Sequence, residues 1–433
     1  MTERIACARL ESETLRHNFS DIHPPLSAPQ AVIEAERCLR CHDAPCIEAC
    51  PTGIDIPAFI NRIATGDVKG AASAILSSNI LGGSCARVCP TEILCEGVCV
   101  RVTLGEPAVE IAALQRHATD WQMAHGPAFT RAAATGKRVA VIGTGPAGLA
   151  CAHRLALLGH EVTLFEKAAR PGGLNEYGIA AYKLVDDFAR REIDFVLAIG
   201  GITLHTGMAL GKDMSLEDLR EAFDAVFLGL GLSGVRALGL PGETLPHVRD
   251  AVAFIAELRQ ATDLGEIAVG RRVVVIGGGN TAIDAAVQCR KLGAEEVTLV
   301  YRRGPESMSA TRDEQDFALR NGVVIRHNAR PQHFEGGPGG VTAAVFLRAD
   351  GETLTLPADL VLKAVGQLYE DGPPALETGS GRIWTDGFGR TSLPRVYAGG
   401  DCVGGQELTV AAVAMGRDAA MTIHRDLEEP RHG

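Results

Sequence analysis

Two stretches of this 433-residue chain are copies of one supersecondary unit. Residues 137–167 read KRVAVIGTGPAGLACAHRLALLGHEVTLFEK, and residues 271–302 read RRVVVIGGGNTAIDAAVQCRKLGAEEVTLVYR. They align throughout with one inserted residue. Each is an apolar strand, a glycine-rich turn, a helix and a second strand, which is the βαβ unit that holds a dinucleotide pyrophosphate. A duplicated unit of this kind commits the chain from 137 onward to parallel sheets covered by helices.

The first turn is Gly143-Thr-Gly145-Pro146-Ala147-Gly148. Its first glycine makes the tight turn, the second admits the pyrophosphate, and the third lets helix and strand pack closely. The helix N-terminus favours the anion. Glu166, at the end of the following strand, is placed to accept hydrogen bonds from ribose hydroxyls. The second turn, Gly277-Gly-Gly279-Asn280-Thr281-Ala282, is a variant ending in alanine. Alignment puts Tyr301 where the first copy has Glu166, and Arg302 and Arg303 follow. Losing the acid and gaining cations is the pattern for a ribose 2′-phosphate, so this chemistry leans toward NADP(H).

Two dinucleotide units imply a flavin paired with a nicotinamide. FAD has no 2′-phosphate, so Glu166 suits its ribose. The segment RPGGLNEYGI, with Gly173 and Leu174, follows where backbone would meet the flavin. Near the C-terminus, VYAGGDCVGGQELTVAAVAMG looks like the FAD-closing segment of two-dinucleotide flavoproteins. There Gly400 and Asp401 would meet the ribitol chain, and the helix start at Thr409 and Val410 would face the flavin.

Twelve cysteines are the other anomaly. Eight of them fall within 62 residues, as Cys38-x2-Cys41-x4-Cys46-x3-Cys50-Pro51, then Cys85-x3-Cys89-Pro90 and Cys95-x3-Cys99. The N-terminus carries charges where a secretion signal needs an apolar core, and no apolar run of 18 residues occurs. A cytoplasmic location is expected, where thiols stay reduced and metal outranks disulfides. The first run resembles the bacterial ferredoxin run with a longer x4 gap, so eight cysteines could hold two [4Fe–4S] clusters. Structural zinc is the alternative, although it favours CxxC pairs at finger spacing. Cys7, Cys151, Cys289 and Cys402 lie outside the run and read as small buried hydrophobes. The charge balance of 42 basic against 53 acidic residues argues against nucleic acid or an anionic membrane as partner.

From CLRCHDAPCIEACPTGIDI to GGDCVGGQELTVAAV, the chain resembles the NAD(P)H/FAD/iron–sulfur electron-input subunits of dihydropyrimidine dehydrogenase (PreT-like), within the wider group of glutamate synthase small subunits. Gln115, sixteen residues after Cys99, stands where the dihydropyrimidine dehydrogenases have an iron-ligating glutamine and glutamate synthase small subunits usually have glutamate. The resemblance implies one cluster on Cys38, Cys41, Cys46 and Cys99. It implies a second on Cys50, Cys89, Cys95 and Gln115, with Cys85 a bystander. It places Lys183 where the family has a flavin-proximal arginine, and Ala364, Val365 and Gly366 near the nicotinamide. It sets Ser309 where NADPH-using members have a third basic group, which keeps the cofactor at NAD(P)H.

The implied fold is α/β with an N-terminal helical domain. An α-helical ferredoxin-like iron–sulfur domain (1–130) precedes a Rossmann-type FAD domain (131–240 and 369–433), split by an inserted Rossmann-type NAD(P)H domain (241–368). The implied activity is oxidation of NAD(P)H at FAD, with electrons passed through two [4Fe–4S] clusters. An FMN-containing, PreA-like partner subunit would reduce uracil or thymine in a hetero-oligomer, a heterotetramer being common in this group. A (β/α)₈ barrel of about 250 residues does not fit beside the other domains, so the pyrimidine site is expected elsewhere. The alternatives are a glutamate synthase small subunit, an NADPH:ferredoxin oxidoreductase subunit, or a zinc-binding or redox-sensing flavoprotein adaptor.

Overall fold

The computed structural model describes residues 5–370 and 372–428. The chain divides into two compact units. One comprises His23–Glu176, Asp186–Gly234 and the chain from Leu368; the other comprises the chain up to Ile22, Tyr177–Val185 and Val235–Gln367.

The larger unit begins with helices, among them Ala28–Glu36, Ile56–Ala64, Val68–Ser78, Gly82–Val88 and Ile111–Ala124. The helical stretch from Ile56 to Ser78 is interrupted once, for a local reason. Gly66 takes φ +81°, and Asp67 caps the next helix by accepting from the Gly70 N–H at 2.9 Å. Ile56, Phe59, Ile60 and Ile63 recur on one helix face and are all buried. They join Ile75 and Leu114 in a core that continues into the sheet through Val139 and Val141.

That sheet has five parallel strands, ordered Val396–Ala398, Ala225–Leu228, Arg138–Ile142, Glu161–Glu166 and Ile202–Thr206. Its edge strand Val396–Ala398 comes from beyond the smaller unit, so the domain is split in sequence and closed in space. The C-terminal helix Thr409–Glu428 packs along the helix Pro146–Leu157. Contact is so close that a Cβ on Gly416 would lie 2.0 Å from the Ala147 carbonyl oxygen.

The smaller unit repeats the pattern. Its parallel sheet runs Val323–Arg326, Glu296–Val300, Arg272–Gly277, Leu360–Ala364, Val248–Asp250. The glycine-rich stretch near 337 makes a hairpin, with strands Ala329–Gly337 and Gly340–Arg348 paired and Thr353–Pro357 added. This unit also takes in chain that the sequence gives no reason to place there. Leu15 and Phe19 are buried in one core with Tyr182 and Phe254. Lys183 is held by Asp284 at 2.8 Å and Glu314 at 2.5 Å. Burial alone would lower its pKa, but the two carboxylates more than offset this and hold the ammonium above its ordinary range. Cys151, Cys289 and Cys402 are fully buried, as expected, but Cys7 is exposed, its thiol donating to the Glu266 carbonyl at 3.0 Å. Cys7 follows the two-residue strand Ile5–Ala6, outside any strand or helix.

Gly416→Ala decides whether helix propensity or packing wins. Alanine gains about 1 kcal/mol in a helix interior, but a backbone oxygen cannot step aside for the new methyl. We expect a net loss of about 1–3 kcal/mol in denaturant unfolding, the cost of overpacking. Lys183→Met strips the cation from two carboxylates. The smaller unit should lose about 3–5 kcal/mol, read as an earlier unfolding transition with the larger unit's transition unmoved.

Candidate redox site: two dinucleotide turns and two cysteine recesses

In the larger unit the first turn sits at the end of the strand Arg138–Ile142. Gly143 takes φ +96°, and a Cβ there would lie 2.3 Å from the Gly229 carbonyl. A Cβ on Gly148 would lie 1.9 Å from the Gly143 carbonyl, which is the close strand–helix approach the third glycine is needed for. Gly145 is the N-cap of the helix beginning at Pro146 and Ala147, and nothing stands within 4 Å of its missing Cβ. The helix N-terminus therefore has open space beside Gly145, a cradle for an anion. Glu166 is buried, and it accepts from the Thr144 N–H at 3.0 Å, the Thr144 hydroxyl, and the Ala168 N–H at 2.8 Å. It thus fixes the turn.

Two of the glycines expected around FAD meet this turn. Gly173 lies against Gly145, with its missing Cβ 2.7 Å from the Gly145 Cα. Gly400, at φ +80°, meets Ala147 in the same way at 3.0 Å. Asp401 follows, its pKa raised by burial and by Glu407. Thr409 donates to the Asn175 side-chain oxygen at 3.1 Å, which anchors the C-terminal helix start. Val410 beside it is buried, and Leu174 is exposed.

The second turn, in the smaller unit, has the same frame with different chemistry. Gly277 abuts the Ala364 carbonyl, and Gly279 is the N-cap of the helix Asn280–Lys291. Thr281 and Ala282 lie in its first turn; Ala364, Val365 and Gly366, the last at φ +104°, line the neighbouring strand end. The side-chain oxygen of Asn280 is buried with no partner, a polar atom left for a ligand. The first turn pairs Glu166 with Thr144; the second packs the Tyr301 ring on Gly278, where a Cβ would lie 2.4 Å from the ring. The Tyr301 hydroxyl donates to the Ser307 carbonyl at 2.5 Å and accepts from Arg303 at 3.1 Å. Arg303 is thereby turned onto the ring, and Arg302 is exposed. Ser309 contacts the turn through the Gly278 carbonyl at 3.4 Å. Lys183, within this unit, already serves two carboxylates, and a flavin-directed role for it rests on the resemblance alone.

The cysteine stretch folds into two recesses of the larger unit. Cys38, Cys41, Cys46 and Cys99 line the first, about 380 Å³ in volume, with Leu39, Ile56 and Ile111. Cys50, Cys85, Cys89 and Cys95 line the second, about 390 Å³, with Asn79, Gln115, Ile56, Ile111 and Val410. Among the described residues no three histidine, cysteine or acidic groups converge as ligands of one ion; the thiols ring a volume instead. Burial, then the neighbouring Cys38 and Cys99, push the Cys46 thiol up to about 11. Cys95 is raised by burial and by Glu96, and Cys89 first by its hydrogen bond with Cys85 and then by burial. Crowded apolar thiols of this kind favour thiolate only when cationic iron offsets the charge. The donor sets therefore fit iron–sulfur clusters. Both candidates for the eighth ligand, Cys85 and Gln115, are in the second recess.

Sequence reasoning did not single out Glu192 and Asn79. Glu192 is buried and accepts from the Ser84 N–H at 2.9 Å and from the Ser84 hydroxyl, holding the start of the helix that carries Cys85. Burial pushes its carboxyl up to about 7. Nothing in local pattern marks a glutamate on one helix as the cap of another 108 residues earlier.

Comparison with known proteins agrees with this assembly. Residues 137–416 match the pyridine nucleotide-disulphide oxidoreductase family, and residues 15–127 match dihydropyrimidine dehydrogenase domain II, 4Fe-4S cluster. The chain is 38% identical over 416 residues to the NAD-dependent dihydropyrimidine dehydrogenase subunit PreT of Escherichia coli O157:H7, covering 95% of this chain and 98% of that one. It is 35% identical over 448 residues to the glutamate synthase [NADPH] small chain of Escherichia coli K12, covering 95% and 94%. Among solved structures, Mycobacterium tuberculosis FprA in complex with NADPH superposes with TM-score 0.57 at 22% identity, over 67% of this chain and 84% of that one. Thioredoxin reductase of T. acidophilum gives 0.54 at 20%, over 68% and 100%. These two likenesses speak to the fold. The chain belongs to the pyridine-nucleotide-dependent flavin and iron–sulfur oxidoreductases, among the PreT-like electron-input subunits of dihydropyrimidine dehydrogenase.

Proposed function

We propose that this chain is the electron-input half of a two-subunit dihydropyrimidine dehydrogenase, feeding an FMN-containing, PreA-like subunit that reduces uracil or thymine. One observation carries the reading. Val410, next to Thr409 at the proposed flavin-facing helix start, also lines the second cysteine recess, and Ile56 and Ile111 line both recesses. The order is therefore flavin cradle, second recess, first recess. Leu39, at the first recess, is 48% exposed, so the series ends near the surface.

When bound, the cofactors supply the redox chemistry: hydride from NAD(P)H to FAD, and single electrons through the clusters. The chain supplies binding and position. The helix N-termini at Gly145 and Gly279 hold the pyrophosphates, and Glu166 takes the flavin ribose. Asn280 offers its unpaired oxygen beside the second turn. Arg302 faces solvent beside Tyr301, where a ribose phosphate of NADPH would lie, yet the PreT relatives are named NAD-dependent; the cofactor is therefore NAD(P)H. Val410, Leu94 and Cys85 pack together at the second recess.

For the second cluster we assign Cys50, Cys89, Cys95 and Gln115, and for the first Cys38, Cys41, Cys46 and Cys99. The Gln115 amide nitrogen donates to the Gly82 carbonyl at 2.7 Å. A carbonyl only accepts, so the amide nitrogen must face it, and the amide oxygen is the atom left to ligate. Cys85→Ser should keep roughly eight iron atoms per chain, two four-iron clusters, while Gln115→Leu should lose about half. Loss of iron in the Cys85 variant, with Gln115→Leu intact, would reverse the assignment.

The purified chain should reduce artificial electron acceptors with NAD(P)H and leave uracil unchanged. Adding the FMN-containing partner should start uracil-dependent NAD(P)H oxidation. Uracil reduction by the isolated chain would refute the two-subunit reading, and glutamate formation with a glutamate synthase large subunit in place of uracil reduction would move the chain to that branch.

A further inference from the structure

Asn79 ends the helix Val68–Ser78 and is fully buried. Its backbone N–H donates to Ile75 at 2.8 Å, and its carbonyl accepts from Gly82 at 3.0 Å. Its side-chain oxygen accepts from the Leu81 N–H at 3.1 Å. Only an oxygen can accept there, so the two ends of the amide are distinguished by chemistry. The remaining atom, Nδ2, is buried with no hydrogen-bond partner. An orphan donor at such a place costs about 1–3 kcal/mol, and native chains leave few of them. Asn79 lines the second recess beside Cys50, Cys85, Cys89, Cys95 and Gln115. The acceptors a filled recess would offer are sulfurs. A neighbour already makes such a contact: the buried Thr52 hydroxyl lies 3.2 Å from the Cys50 sulfur.

We propose that Asn79 is a positioning residue for the second cluster, donating an N–H···S hydrogen bond from Nδ2 to a cluster or cysteinyl sulfur and so raising that cluster's reduction potential. This rests on the reading that the second recess holds a four-iron cluster. A hydrogen bond to sulfur draws electron density from the cluster and stabilises its reduced, more negative form, which is how such bonds tune potential. The second recess is the one that shares Val410 with the flavin cradle, so a raised potential there eases the first electron transfer out of the flavin.

The test uses the full chain, reconstituted anaerobically in H₂O and in D₂O, as wild type, Asn79→Leu and Asn79→Asp. Leucine matches the shape and removes the donor without adding charge; aspartate keeps the acceptor for Leu81 and removes the donor. Iron is counted, and each cluster's midpoint potential is followed by EPR-monitored titration. Exchangeable protons coupled to the reduced clusters are read by ENDOR with ¹⁵N-asparagine labelling. In wild type we expect one exchangeable proton on a labelled amide nitrogen. Both variants should lose it, with one midpoint potential moved to more negative values and the other unmoved. Unchanged potentials in an iron-replete leucine variant, or a retained proton signal, would overturn the proposal. Loss of one cluster's iron in both variants would also overturn it, because Asn79 would then act by holding the turn. Wild type without iron would refute the cluster reading itself.

Discussion

Everything in the larger unit is referenced to one helix crossing. The helix Thr409–Glu428 lies against Pro146–Leu157 so closely that only hydrogen fits on Gly416 opposite the Ala147 carbonyl. That crossing brings the start of the C-terminal helix beside the first dinucleotide turn, and carries Gly400 onto Ala147. Farther along, Arg417 donates to the carbonyls of Thr52 at 2.7 Å and Ser78 at 2.9 Å. Those two carbonyls flank Cys50 in one segment and Asn79 in the other. A single close-packed contact therefore registers the first dinucleotide turn against the second cysteine recess.

The two dinucleotide turns show how one backbone frame is given two specificities. In both, a tight glycine turn leads to a helix N-terminus. The residue between the first two glycines then meets the end of the next strand. Threonine meets a buried glutamate in one copy; glycine makes room for a tyrosine ring in the other. The first arrangement leaves a carboxylate at the strand end beside the turn. The second leaves none, and ties one of the two following arginines to the ring. The pairing within each copy is physical: a ring that close to the turn excludes any side chain at 278.

Much of this was legible before any fold was known. The strand–turn–helix–strand periodicity, the glycine spacing and Glu166 define both cradles, because these are local requirements of a turn and an anion. Cysteine spacing marked the iron–sulfur region, because a thiolate can be replaced by few side chains. The resemblance supplied the division of the cysteines into two sets; the first recess is lined by the cysteines of one set, and the second by the other set together with Cys85. Lys183 shows the limit. Its position near Glu166 in sequence favours the first dinucleotide unit, but its carboxylates come from the second, 101 and 131 residues later. Cys7 was read as buried on residue type alone and is exposed, since burial depends on neighbours that residue type does not specify.

The sequence by itself determined the two dinucleotide units, the metal-binding stretch and the broad class, since each is written in residues close along the chain. Only the tertiary structure decided that the chain up to Ile22 belongs with the smaller unit, that Val410 borders a cysteine recess, and that Ile56 and Ile111 stand between the two recesses. It alone set the amide of Asn79 in a pocket of sulfurs with one end tied and the other unpaired. Such facts join residues tens to hundreds of positions apart. They follow from which faces pack together, and no local pattern encodes that.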